Sequence, residues 1–125
     1  MQAYFDDLAT ARTVSLTTFR RDGTPVATPV HIVTDGDVAY VRTFDSAGKF
    51  KRVRNDPRVE LAPCTTRGRV TGAARPAKAR VLDGEEADRA AAALAAKYPV
   101  LQGVLIPLGH RLRGMTTVHL QLTAP

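Results

Sequence analysis

Between Arg42 and Cys64 the chain reads RTFDSAGKFKRVRNDPRVELAPC, a stretch that holds the residue types able to bind an anion. A strand over Val38–Phe44 ends in Arg42-Thr43. The small-residue loop Asp45-Ser46-Ala47-Gly48 then leads into the basic run Lys49-Phe50-Lys51-Arg52-Val53-Arg54, which Pro57 ends. Free backbone N–H groups at a helix start, the positive end of its dipole, a hydroxyl from Thr43 or Ser46 and the cations of Arg42 and Lys49 are together complementary to one phosphate ester. On a helical wheel Phe50 and Val53 share one face, while Lys49 with Arg52, and Lys51 with Arg54, form pairs on opposite flanks. Only one flank can line a given cleft. The same pattern describes a solvated surface helix, so the charge run alone leaves both readings open.

Other residues capable of chemistry are dispersed. His31, His110 and His119 have no metal-ligand spacing, and His31 and His119 fall inside predicted strands, where a packed or surface imidazole is the ordinary role. His110 lies in the basic loop Gly109-His110-Arg111-Leu112-Arg113-Gly114, which could reach an acidic tail or a substrate. Asp6 with Asp7, and Glu85 with Glu86, are neighbours on predicted helices, so each pair diverges by about 100° and cannot work as a paired acid and base. Cys64 is the only cysteine, which excludes an intrachain disulfide and a Cys-based zinc site; alone in a strand, it reads as a small buried hydrophobe. There is no defensible Ser-His-Asp set, no GxGxxG and no P-loop. No catalytic residue and no metal site is assigned.

The elements that must position the anion-binding residues follow from periodicity. Tyr4–Thr10 is a short helix. Thr13–Phe19 alternates Val14 and Leu16 with Ser15 and Thr17, as a half-buried strand does, and Arg21-Asp22-Gly23 turns it. Strand two, Val26–Thr34, is flanked and interrupted by Pro25 and Pro29, which suits an edge or a bulge. Asp35-Gly36-Asp37 turns into Val38–Phe44. After the basic helix, Arg58–Thr66 and Arg69–Leu82 form a fourth and a fifth strand joined at Arg67-Gly68. Glu85 and Glu86 suit the first turn of an alanine-rich helix that Pro99 stops. Val100–Leu108 fits a short helix or a strand, and Met115–Thr123 closes as a sixth strand. Residues 1–125 thus read as one α+β, mainly β domain: an antiparallel six-stranded β-barrel with two or three short helices.

Bulk properties are compatible with this. A chain of 125 residues makes a modest core that a dimer interface would help. The formal charge of +6 favours an acidic partner without choosing among nucleic acid, anionic lipid and a phosphorylated cofactor. The acidic start Met1-Gln2-Ala3-Tyr4-Phe5-Asp6-Asp7 does not read as a signal peptide, and no apolar run reaches membrane-spanning length, so a cytoplasmic protein with no membrane partner is expected. Single-stranded nucleic acid would need stacking platforms beside the cations. Tyr40, Phe44 and Phe50 are too few and too hydrophobically placed, so no nucleic-acid partner is expected.

Several motifs recur in order: the Phe-Asp-Asp start, the hairpin from Asp22 to Val30, the Val41-Arg42-Thr43 strand end, the Lys49–Arg52 helix, Asn55-Asp56-Pro57-Arg58-Val59, and Pro63-Cys64 followed by Arg67-Gly68. With these the chain resembles the pyridoxamine 5′-phosphate oxidase-like split β-barrels that bind a flavin or deazaflavin, and particularly their coenzyme F420-dependent branch. The resemblance implies a split barrel and a homodimer holding two cofactors in grooves between subunits. It implies that Arg42, Thr43, Lys49 and Arg52 hold the cofactor phosphate, with backbone contacts from Ser46, Ala47 and Gly48. Thr28, Pro29 and Val30 would lie along the ring system, and Pro63, Cys64 and Thr65 would approach it from the neighbouring strand. For Thr28 and Pro29 a strand bulge with no ligand is the competing reading.

In such an enzyme the cofactor carries the chemistry and the protein supplies binding, orientation and electrostatics. The reading is therefore an F420-dependent oxidoreductase that passes a hydride between the deazaflavin ring and an unsaturated small-molecule substrate. An FMN-dependent oxidase or reductase shares the ring and first phosphate. The surplus cations Lys51, Arg52, Arg54, Arg67 and Arg69 favour F420, whose tail carries further carboxylates. A non-enzymatic carrier of a flavin-like ligand or haem is the alternative outside enzymes.

Overall fold

A computed structural model of the chain describes residues 3–44, 48–99 and 117–125, excluding the side chains of residues 44 and 48–50. The described residues form seven strands: β1 (Val14–Phe19), β2 (Pro25–Val30), β3 (Val33–Asp35), β4 (Val38–Phe44), β5 (Arg58–Pro63), β6 (Arg75–Leu82) and β7 (Thr117–Thr123). Helices α1 (Gly48–Asn55) and α2 (Gly84–Lys97) accompany them, with a 3-10 turn at Asp6–Leu8 where a longer opening helix was expected. All strands join one antiparallel sheet in the order β2-β1-β5-β6-β7-β4-β3. The two edge strands, β2 and β3, are consecutive in the chain with only His31 and Ile32 between them. Two residues span roughly 7–10 Å, so the sheet has to curl until its edges nearly meet.

That junction explains why seven strands replace the expected six. The predicted strand Val26–Thr34 is divided at His31-Ile32: its first part pairs with β1 and its second with β4. Ile32 is fully buried, and its carbonyl accepts from Lys97 Nζ at 2.7 Å and from the Tyr98 hydroxyl at 2.9 Å. The same two side chains reach Ala11 O and Arg12 O, so the end of α2 pins both chain segments at the barrel's corner. The predicted strands over Arg58–Thr66 and Arg69–Leu82 are shorter for a different reason. Residues 64–74 leave the sheet except for one bridge, Cys64 to Val70, and Gly68 turns the chain with φ +92°. The segment Val100–Leu108, the loop containing His110, and Met115 lie outside the described residues.

Alternation places the core. Val14, Leu16, Val59, Leu61, Ala77, Ala79, Ala39, Val41, Leu120 and Leu122 face the barrel interior, where Val53 of α1 joins them. On the opposite side of β4 and β6, Tyr40 and Leu82 pack under Ala90 of α2. The N-terminal segment is tied down by Arg75, which donates to Tyr4 O and pairs with the Asp7 carboxylate. No helix among the described residues is long and apolar enough to cross a membrane.

Candidate functional site

The strand end at Arg42-Thr43 leads through residues 45–47 into α1, as predicted, but the two side chains part. In a strand successive side chains point to opposite faces. Thr43 faces the interior, 4% exposed, and its Oγ1 is buried with no hydrogen-bond partner among the described residues. Arg42 faces the α2 side and donates from Nε to His119 Nε2 at 3.2 Å, its cross-strand neighbour on β7. The structure therefore does not bring the Arg42 guanidinium and the Thr43 hydroxyl to one point.

His119, expected as a packed or surface imidazole, is packed, but its pairing with Arg42 was not foreseen. It is 7% exposed and lies in a row Leu82-His119-Arg42 across β6, β7 and β4. Burial first, and then the Arg42 cation, push its pKa down to about 4, against a small opposing effect of Asp88 on α2. A neutral ring accepts at Nε2 and carries its proton on Nδ1, which is the state this hydrogen bond requires. Burial likewise lowers the pKa of Arg42. The pairing joins residues 77 positions apart, and strand period alone gives no sign of it.

Arg52, expected beside Lys49 at the phosphate, is tied to β1 through one of its nitrogens. Its Nε donates to Thr18 Oγ1 on β1 at 2.5 Å, and Thr18 is fully buried. The backbone of Gly48 and Lys49 forms the first turn of α1, so the helix start lies where the sequence put it; Ser46 and Ala47 are outside the described residues.

The two segments expected along a ring system are not on neighbouring strands: β1 lies between them. Val30 and Pro63 flank Val14 from opposite sides of β1, and Pro29 pairs with Ser15. The 64–74 loop folds back toward β2 until a Cβ on Gly68 would lie 3.7 Å from the Pro29 ring. Gly72 is closer still to Pro63, where a Cβ would meet Cγ at 2.7 Å. Thr28 is half-buried on the face opposite Pro29, opposite Leu16 of β1. Cys64 is a free, half-buried thiol whose amide donates to Thr13 O, and burial raises its pKa, which keeps it a thiol rather than a reactive thiolate. Thr65 is exposed, and its hydroxyl accepts from the Arg69 amide.

His31 stacks on Tyr98 with ring centroids 4.4 Å apart, and burial, Arg12 and Lys97 all lower its pKa. Among the described residues no group of three or more His, Cys, Asp or Glu could hold a metal ion.

Comparison with known proteins places this geometry. The family profile described as pyridoxamine 5′-phosphate oxidase matches residues 1–122. No curated protein matches the chain. Among solved structures, HutZ, the heme storage protein of Vibrio cholerae, superposes with TM-score 0.71 at 14% identity, covering 93% of this chain and 83% of its own. The conserved hypothetical protein Rv2991 of Mycobacterium tuberculosis gives TM-score 0.66 at 17% identity, over 99% and 81%. An F420 reductase gives TM-score 0.63 at 14% identity, over 100% and 95%. At such identities the likeness is one of fold, whereas the profile spans nearly the whole sequence. The chain belongs to the pyridoxamine 5′-phosphate oxidase family.

Proposed function

We propose that the protein is an F420-dependent oxidoreductase, and the observation that carries the reading is the buried Thr43 hydroxyl at the β4–α1 junction. A buried hydroxyl without a partner costs about 1–3 kcal/mol. A phosphate oxygen beside the start of α1 would accept its proton and remove that cost. Thr43, the first backbone amides of α1 and Lys49 are the groups that would hold the phosphate, with Ser46 and Ala47 in the loop before them. Arg42, directed to the α2 face, is left out of that cradle.

The β2 edge at Thr28–Val30 and the folded-back loop after Pro63 would flank the ring, Pro29 and Gly68 supplying a close-packed, side-chain-poor surface. When bound, the deazaflavin supplies the hydride chemistry. The protein's part is to fix the phosphate, orient the ring and leave one ring face to an unsaturated small molecule. A homodimer would complete the groove from a second chain, in the cytoplasm. The F420 reductase covers nearly the same length of barrel, which supports a chain of this size being sufficient for such a site.

FMN shares the ring and the phosphate and is the second reading. Separate fluorescence titrations of the purified protein with F420 and FMN discriminate them. Micromolar binding of F420 with none of FMN is the expected result; the reverse assigns the barrel to FMN, and binding of neither refutes the reading.

A further inference from the structure

At the end of the barrel where the β1–β2 turn meets α1, two arginines from distant parts of the chain lie together. Arg52 is fixed there by its Nε hydrogen bond to Thr18 Oγ1. Arg20 follows two residues after Thr18, and its amide donates to Thr24 O at 3.0 Å, extending the hairpin ladder so that Arg20 continues on the Thr18 face. The turn is held rigid by Gly23 N donating to Arg20 O, and by Thr24 N donating to Asp22 Oδ1. Burial, and then the Arg20 cation, lower the pKa of Arg52.

The acids nearby are engaged elsewhere. Asp22 feels Arg20, but its carboxylate is bound by the Thr24 hydroxyl and amide. Asp56 forms a bidentate pair with Arg58. Among the described residues no ion pair includes Arg20 or Arg52. Like charges held together by the backbone are unfavourable until an anion enters between them. With its Nε on Thr18, Arg52 presents its terminal amino groups, and exposed Arg20 completes a fork.

We propose that Arg20 and Arg52 form an anion subsite, separate from the Thr43 junction, that takes carboxylate groups of a polyanionic ligand. This rests on the F420 reading for the identity of that ligand, and it assigns the glutamyl tail to the β1–β2 turn, an element the charge run of α1 gave no reason to include. The subsite itself needs only carboxylates.

The test uses the full chain, as wild type and as Arg20→Gln, Arg52→Gln and Arg20→Lys, titrated at low salt with F420, with its precursor lacking glutamates, and with a free γ-glutamyl peptide. Exposed charge-assisted contacts predict that Arg20→Gln and Arg52→Gln each weaken F420 about three- to fivefold, leave the tailless precursor unchanged, and that Arg20→Lys retains most of the affinity. Unchanged F420 affinity in folded Arg20→Gln, or an equal loss for tailed and tailless forms, overturns the subsite. If F420 does not bind but the peptide shifts the Arg20 and Arg52 side-chain resonances, the cofactor reading falls and the subsite stands. If wild type binds neither F420 nor the peptide, the subsite is refuted as well.

Discussion

Lowering the pH from 7 to 5 should destabilise this protein through His119, and the size of the effect follows from its burial. The unfolded chain holds the imidazole near its ordinary pKa of 6.5, whereas the folded one holds it at about 4. Between those values the unfolded state binds more protons, so stability falls as pH falls and levels off only below about 4. The full linkage is about 3 kcal/mol, and between pH 7 and pH 5 it amounts to about 2 kcal/mol. Mechanistically, protonation would place an imidazolium beside the Arg42 guanidinium in a site 7% exposed and destroy the acceptor at Nε2. Urea unfolding of wild type and of His119→Gln at both pH values isolates the effect, because Gln keeps an acceptor and does not titrate. His31, whose pKa burial also lowers, acts in the same direction but is common to both proteins. Wild type should lose about 2 kcal/mol more than the variant over this interval. Parallel losses would refute the assignment of His119 as a buried neutral acceptor.

Three substitutions and one measurement probe separate parts of the structure. Thr43→Val removes the orphaned hydroxyl: the ligand-free protein should unfold at equal or higher urea concentration, while cofactor affinity drops about tenfold, a charge-assisted contact being lost. Equal affinity in both proteins would detach Thr43 from the phosphate. Gly72→Ala drives a Cβ to 2.7 Å from the Pro63 ring, and should cost about 1–3 kcal/mol as a fall in Tm; an unchanged Tm would mean that the loop yields freely. Tyr98→Phe should cost about 1–2 kcal/mol, since the Arg12 carbonyl loses its donor whereas Ile32 O keeps Lys97; a neutral variant would place the clamp's strength in Lys97 alone. Light scattering at micromolar concentration should report a dimer, and a monomer both with and without cofactor would contradict a groove shared between chains.

Much of the barrel was legible because it rests on local rules. Period-two alternation marks β1 and β4 within a residue of their bounds, and Pro57 and Pro99 stop α1 and α2 where a missing amide must stop a helix. The divergence of Arg42 and Thr43 was legible too, since neighbours on any strand face opposite ways; charge complementarity had obscured it. Other features depend on which strands meet. The chain between Val30 and Val33 gives no local sign that it leaves one edge of the sheet for the other, a break imposed by barrel closure and by carbonyls that Lys97 and Tyr98 can reach. The β4–β7 register placed His119 on Arg42, and the docking of α1 on β1 took Arg52 to Thr18 and set it beside Arg20. The sequence determined elements, turns and the location of a helix start, each settled by interactions within a few residues. Tertiary structure alone decided which acceptor each guanidinium meets, because its neighbours are chosen by strand register and helix docking across separations of 34 and 77 residues.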